Sequence, residues 1–195
     1  MGSKSLPAAP SGTVWVAGSS VEVAWAIHAN HGGGYQYRLC PRSGTTPLTE
    51  SCFQKTPLNF TGRQSFRWAD GVEVSFDGTY VSSGTVPAGS TWGMNPIPRD
   101  DTNHTGRSFE PRCKKDDPQH QCIGACGNHY YNESDGGPGR IECPRLPEIV
   151  DYLDVPAHLA PGEYVLGWRW DCEEATQVWA SCSDVTIAAP LSVLV

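Results

Sequence analysis

Long apolar runs and runs of basic residues are both missing from this sequence. No apolar stretch approaches the roughly 20 residues that a membrane span requires. The chain has 195 residues and a formal charge of -7, and no Lys/Arg run is longer than Lys114-Lys115. Nucleic acids and anionic membranes both bind basic surfaces. We therefore expect neither of them to be a partner of this protein.

The common catalytic motifs are also missing. The sequence contains no HExxH, no Gly-x-Ser-x-Gly, no phosphate-binding loop and no dinucleotide fingerprint. Zinc-peptidase, serine-hydrolase and nucleotide-dependent interpretations therefore have no supporting motif. Asp and Glu are plentiful, with 21 in total, but no particular two stand out as a glycosidase pair.

The first residues lack a secretory signal. The opening stretch MGSKSLPAAP has no apolar central region of the kind that a signal peptide needs. We expect residues 1–17 to be a linker, a tag remnant or the start of a truncated region, with the natural N-terminus upstream. Residues 189–195 are expected to be a C-terminal tail.

The cysteine content favours an oxidising compartment. Eight cysteines can form four disulfides, and three glycosylation sequons begin at Asn59, Asn103 and Asn132. Together these features predict a secreted, extracellular glycoprotein. The alternative is a zinc site, because Cys122 and Cys126 have permissible spacing. The second close-spaced pair that such a site usually shows is absent.

Alternating apolar residues predict short strands throughout the chain. Val21, Val23, Trp25 and Ile27 alternate with more polar or smaller residues, which is typical of a half-buried strand. Further strands are predicted at residues 35–40, at 71–76 before the hairpin dipeptide Asp77-Gly78, and at 163–170 and 178–187 as a closing pair. No sustained helical period occurs. We predict an all-β, immunoglobulin-like or fibronectin-like antiparallel β-sandwich over residues 18–188.

A long loop interrupts this pattern at about residues 91–147, where Asp, Gly, Pro and Cys are frequent. A loop of this length in a compact domain is usually functional or stapled by disulfides. We predict that Cys40 pairs with Cys52 and Cys172 with Cys182, since both bridges close short loops bounded by strands. The remaining four cysteines are expected to pair within the loop, with connectivity left open: Cys113, Cys122, Cys126 and Cys143.

His31 is the histidine of most interest. It stands between a predicted strand and three glycines, Gly32 to Gly34. The ring would be carried on a rigid element beside an open backbone that a bulky ligand could approach. The alternative is that this segment is an ordinary polar loop.

Two end segments resemble one known family. The stretch ANHGGGYQYRLCP at 29–41 is similar to the "ANH, glycine, aromatic, RLCP" stretch of eukaryotic lytic polysaccharide monooxygenases, a group related to chitin-binding type-4 proteins. The segments GEYVLGWRWDC at 162–172 and QVWASCSDV at 177–185 resemble the closing strands of that family, and 89–98 resembles a connecting segment. The resemblance runs from about residue 18 to residue 188.

The resemblance implies a copper site. His31 would supply one imidazole nitrogen to copper, Gln177 would be an amide beside the metal, and Trp179 would take the place of a Tyr or Phe at its axial face. The alternatives are that Trp179 packs in the core and that Gln177 is a loop residue. The family's mature chain begins with a histidine whose amine and ring both bind copper, whereas this chain begins with Met1.

The leading hypothesis is therefore a copper-dependent oxidative cleavage of a polysaccharide, incomplete or inactive here because the N-terminal histidine is absent. The substrate class would be chitin, cellulose or a pectin-like polymer. A second hypothesis is a non-catalytic carbohydrate-binding or cell-wall module, and a third is a disulfide-stapled structural domain. We expect a monomer.

Overall fold

The structure of this chain is a computed structural model. It describes residues 7–27, 31–44, 47–67, 71–97, 147–173 and 176–190. Several predicted features lie outside these residues: His28, His104, His120, His129, two of the three sequons and the four cysteines of the long loop. Among the described residues, no helix is long and apolar enough to cross a membrane.

Strands make up just over half of the described residues, which also contain one helix of four residues. In chain order the elements are β1 (Pro10–Val16), β2 (Ser20–Trp25), β3 (Gly34–Pro41), α1 (Glu50–Phe53), β4 (Asn59–Arg67), β5 (Glu73–Asp77), β6 (Tyr80–Val81), β7 (Trp92–Met94), β8 (Glu148–Asp154), β9 (Gly162–Asp171) and β10 (Val178–Ala188).

Two sheets contain these strands. The larger has six strands in the order β1-β10-β9-β3-β7-β6, and the smaller has four in the order β2-β8-β4-β5. The pairs are antiparallel except β1 with β10, which is parallel. Side chains from both sheets form one shared core. The predicted all-β sandwich is therefore confirmed.

The alternation seen in the sequence places the core residues correctly. Val23, Trp25 and Ile27 are buried, and Val21 packs against them from the edge of the core. Tyr35 is fully buried near the start of β3. The closing pair also forms as predicted, since β9 and β10 pair in continuous antiparallel register from Asp171 with Val178 to Gly162 with Ile187.

Among the described residues, the core contains one carboxylate that the strand pattern does not predict. Asp151 of β8 has no exposed surface. Its oxygens accept hydrogen bonds from Tyr35 Oη at 3.0 Å, Tyr37 Oη at 3.3 Å and Gln64 Nε2 at 2.8 Å. Burial raises the pKa of Asp151 to about 7, although these hydrogen bonds act in the opposite direction.

Three predicted boundaries need correction. The segment 1–17 was predicted to be a linker, but it contains β1. This strand pairs with β10, and its Trp15 is buried in the core. The long loop begins later than residue 91, since Trp92–Met94 is a strand paired with β3. Asp77-Gly78 is no hairpin turn: β5 belongs to the smaller sheet and β6 to the larger, so the chain crosses between sheets there.

One predicted disulfide forms and the other does not. Cys40 of β3 is bonded to Cys52 of α1, and the bridge fixes the short helix to the outer face of the larger sheet. Cys182 is an exposed free thiol. The strand register explains the error, because Cys182 lies opposite Gly167. Cys172 lies five residues further along, about 17 Å at strand spacing, far beyond disulfide reach.

Candidate functional site

The candidate site lies at one end of the six-stranded sheet. Gly34 at the start of β3 pairs with Asp171 at the end of β9, and Asp171 pairs with Val178 at the start of β10. His31 precedes β3 by three residues, and Gln177 immediately precedes β10. The fold therefore brings His31, Gln177 and Trp179, which are far apart in the sequence, to the same end of the molecule.

His31 is held by the end of β9. Its backbone oxygen accepts a hydrogen bond from Glu173 N at 3.0 Å. Its half-buried ring stacks on Trp170, with ring centroids 6.1 Å apart and an angle of 28° between the planes. The imidazole is thus carried on a buried aromatic ring, which restricts its position although His31 lies outside any strand.

The glycines beside His31 allow the chain to pack on itself. The Gly32 oxygen accepts a 2.7 Å hydrogen bond from Trp170 Nε1. Gly33 has φ +77°, and a Cβ there would overlap the carbonyl oxygen of Asp171. Both glycines are buried. The predicted open backbone for a bulky ligand is therefore wrong, because the space beside these glycines is occupied by the end of β9.

Trp179 is exposed to solvent at the end of the sheet. It pairs with Trp170 across the ladder, and Trp170 pairs with Tyr35. Side chains of directly opposite residues share a face of the sheet, so these three lie in one row. Exposure rises along it from 0% for Tyr35 and 5% for Trp170 to 52% for Trp179. Trp179 is therefore an exposed continuation of the core rather than part of it.

Gln177 is exposed and lies in the short connection before β10. Its backbone oxygen accepts a 3.0 Å hydrogen bond from Cys172 N, which extends the β9–β10 ladder by one pair. The backbone is thereby fixed two residues before Trp179, while the side chain is exposed.

A charged network on the opposite face of the sheet escaped the sequence interpretation. Glu50 Oε1 accepts hydrogen bonds from Arg38 and Arg169, and Arg169 also donates two to Asp171. Burial raises the pKa of Glu50, but the hydrogen bond and charge of Arg38 outweigh it, so the pKa lies below its usual value. The Arg169 guanidinium lies over the Trp92 ring. In the sequence, Trp168, Arg169, Trp170 and Asp171 alternate between aromatic and charged residues. This alternation would have predicted that one face of β9 is charged.

The described residues do not contain a copper brace. Their two histidines are His31 and His158. His158 lies before the start of β9 and His31 beside its end, so about 30 Å of strand separates them. No group of three His, Cys, Asp or Glu side chains that could hold a metal occurs in the described part of the chain. A copper site with three nitrogen ligands would therefore need donors other than His31 and His158.

Comparison with known proteins leaves the family open. No protein-family model matches this chain, and no curated protein sequence matches it.

Proposed function

We propose that this protein is an extracellular, polysaccharide-active β-sandwich of the lytic polysaccharide monooxygenase type, with an incomplete oxidative site. The observation that carries this proposal is that His31 and Trp179 both neighbour Trp170. The His31 ring stacks on Trp170, and the exposed Trp179 lies opposite Trp170 in the β9–β10 ladder. This is the sheet end where the resemblance expects a metal and a polymer.

Copper, when bound by a complete set of nitrogens, would supply the oxidation of a C–H bond beside a glycosidic linkage. His31 would provide one of those nitrogens. The described donor set does not fit the three nitrogens needed, so we derive no oxidative step from it. Completion of the site would require a further histidine with a free amine.

Binding to a polysaccharide without cleavage is the second candidate, and the exposure of Trp179 favours it. An indole that is half exposed at a sheet end offers a flat apolar surface with a polar N–H at its edge. The Cys40–Cys52 disulfide supports an oxidising, extracellular location, where such polymers occur.

A pull-down on insoluble polysaccharides tests the binding surface. We expect the chain to be retained on at least one of chitin, cellulose or a pectin-like polymer, and Trp179→Ala to lose most of this retention. Val86→Ala is the matched control, since Val86 is 57% exposed at a position outside the candidate site. Equal retention of both variants, or no retention of the parent chain, would contradict the proposal and leave a structural domain as the remaining interpretation.

Copper titration by calorimetry and paramagnetic resonance tests the metal ligand separately. We expect the present chain to bind Cu(II) weakly, and a chain extended at its N-terminus to begin with histidine to bind it tightly. In the extended chain His31→Ala should abolish tight binding, whereas His158→Ala should leave it unchanged. Tight binding that survives His31→Ala would show that the ligand assignment is wrong.

A further inference from the structure

The first half of β10 has an open edge. β10 pairs with β9 along its whole length, from Val178 to Ile187. On its other side β1 pairs only from Asp184 to Ala188. Among the described residues, the stretch 178–183 therefore has a strand on one side only, and its outward N–H and C=O groups face away from the sheet. We call residues 178–183 the open edge.

The open edge carries none of the features that usually protect an exposed strand. Its sequence VWASCS has no charged residue and no proline, and it pairs with β9 in unbroken register, without a bulge. All six residues are exposed, and Val178 and Trp179 are exposed by more than half. Natural edge strands are commonly protected by lysine, proline, bulges or short length, so this edge is available for pairing.

We infer that the open edge pairs antiparallel with the same segment of a second copy of this chain. The charge distribution selects this partner. The whole chain has a formal charge of -7, so most self-contacts would bring like charges together. The open edge is neutral, so its self-pairing brings no like charges opposite each other. A homodimer with a two-fold axis is also the commonest closed assembly. This inference differs from the monomer expected from the sequence, and the measurements below distinguish the two.

Sheet geometry restricts where the two-fold axis can lie. Directly opposite residues in an antiparallel pair point to the same face, so in a symmetric pair one residue must oppose its own copy. An axis at Ala180 places Val178 opposite the second copy's Cys182 and Trp179 opposite the second copy's Ser181, within the open edge. An axis at Ser181 or at Cys182 would place Asp184, where β1 already pairs, opposite Val178 or Ala180. We therefore place the axis at Ala180.

Charge reversal at the axis tests this arrangement by sedimentation. Ala180 lies on the face of the sheet that carries Arg169, opposite that residue, and Arg169 is already bonded to Asp171 and Glu50. Ala180→Glu alone and Ala180→Lys alone should each weaken dimerisation by about threefold or more, because like charges oppose each other at the axis. An equimolar mixture of the two variants should restore dimers. Charged substitutions at Val72, which is exposed outside the open edge, serve as the matched control and should change nothing.

Disulfide trapping gives a second measurement that does not depend on affinity. In a Cys182→Ser background, Ala180→Cys should form a covalent dimer on mild oxidation, identified by peptide mapping as a bond between two copies of position 180. Val72→Cys should stay monomeric under the same conditions. A parent chain that sediments as a monomer at all concentrations, or equal trapping at both positions, would overturn the inference. The test uses neither copper nor polysaccharide, so its result is independent of the proposed function.

Discussion

The Tyr35 hydroxyl donates a 3.0 Å hydrogen bond to the Asp151 carboxylate in the middle of the core, between two strands that belong to different sheets. Neither side chain has measurable exposure. Burial also raises the pKa of Tyr35 well above its usual value, and the charge of Asp151 raises it further. The polar contact that joins the two sheets is therefore sensitive to the protonation of one carboxylate.

This carboxylate should make the fold less stable as the pH rises. The pKa of Asp151 is about 7 in the folded chain and about 4 in an unfolded one. Folding therefore favours the protonated form, and stability should fall between pH 4 and 7, by up to about 4 kcal/mol. Asp151→Asn should remove this contribution. Denaturant unfolding of the parent and the variant at pH 4.5 and 8 measures this contribution. The stability of the variant relative to the parent should be higher at pH 8 than at pH 4.5. An equal difference in stability at both pH values would contradict the raised pKa of Asp151.

Gly33 should be intolerant of any side chain. Its φ of +77° disfavours other residues, and a Cβ would overlap the Asp171 carbonyl oxygen. We expect Gly33→Ala to lower the free energy of unfolding by about 3 kcal/mol or more. Gly84 is the matched control, because its φ is +72° and no atom lies within 4 Å of the position that a Cβ would take. Gly84→Ala should lower it by only about 1 kcal/mol. Thermal unfolding compares the two variants. Similar losses of stability in Gly33→Ala and Gly84→Ala would show that the contact with Asp171 does not restrict Gly33.

Glu50 should contribute more to stability than an ordinary surface carboxylate. Its Oε1 is shared by Arg38, which is 4% exposed, and Arg169. Glu50→Ala leaves the buried Arg38 guanidinium without this partner, and we expect a loss of about 2–4 kcal/mol. Glu22→Ala breaks the exposed pair with Arg67 and should change stability by about 0.5 kcal/mol or less. Chemical denaturation compares the two; equal effects would show that the Glu50 network adds little.

The Cys40–Cys52 disulfide should stabilise the fold, whereas the free thiol of Cys182 should contribute little. It joins residues 12 apart in the sequence, and its removal by Cys40→Ser with Cys52→Ser should cost about 2–4 kcal/mol. For a chain of this size the unfolding midpoint would fall by roughly 5–15 °C. Cys182→Ser should leave the midpoint nearly unchanged, because that thiol is exposed and unbridged. A large effect of Cys182→Ser would mean that this cysteine has a bonded partner in solution.

Local sequence patterns predicted the parts of the fold that depend on neighbours in the chain. The alternation around Val23 and Trp25 identified β2, and the short spacing of Cys40 and Cys52 identified their disulfide. The same kind of argument failed for Cys172 and Cys182, because spacing along a hairpin does not reveal which residues lie opposite each other. The register of β9 and β10 decides that, and it depends on where the turn lies.

The sequence could not predict features created by distant segments. Asp151 looks like a solvent-facing strand residue until Tyr35 and Gln64, 116 and 87 residues away, are placed beside it. The glycines after His31 suggested an open backbone, but the end of β9 fills the space beside Gly33. Among the candidate site residues, His31 stood out because it follows a predicted strand, whereas Gln177 and Trp179 were singled out only by the family resemblance. The roles of all three stay predictions.

The parallel pairing of β1 with β10 has a consequence for how the chain folds during synthesis. Ser11 in β1 bonds to Asp184, 173 residues later in the sequence. β1 leaves the ribosome early and cannot reach its partner until β10 has been made. Closing so large a loop is slow relative to local pairing. The six-stranded sheet is therefore completed only after translation of β10, and a nascent chain truncated before it would keep β1 unpaired however long it waited.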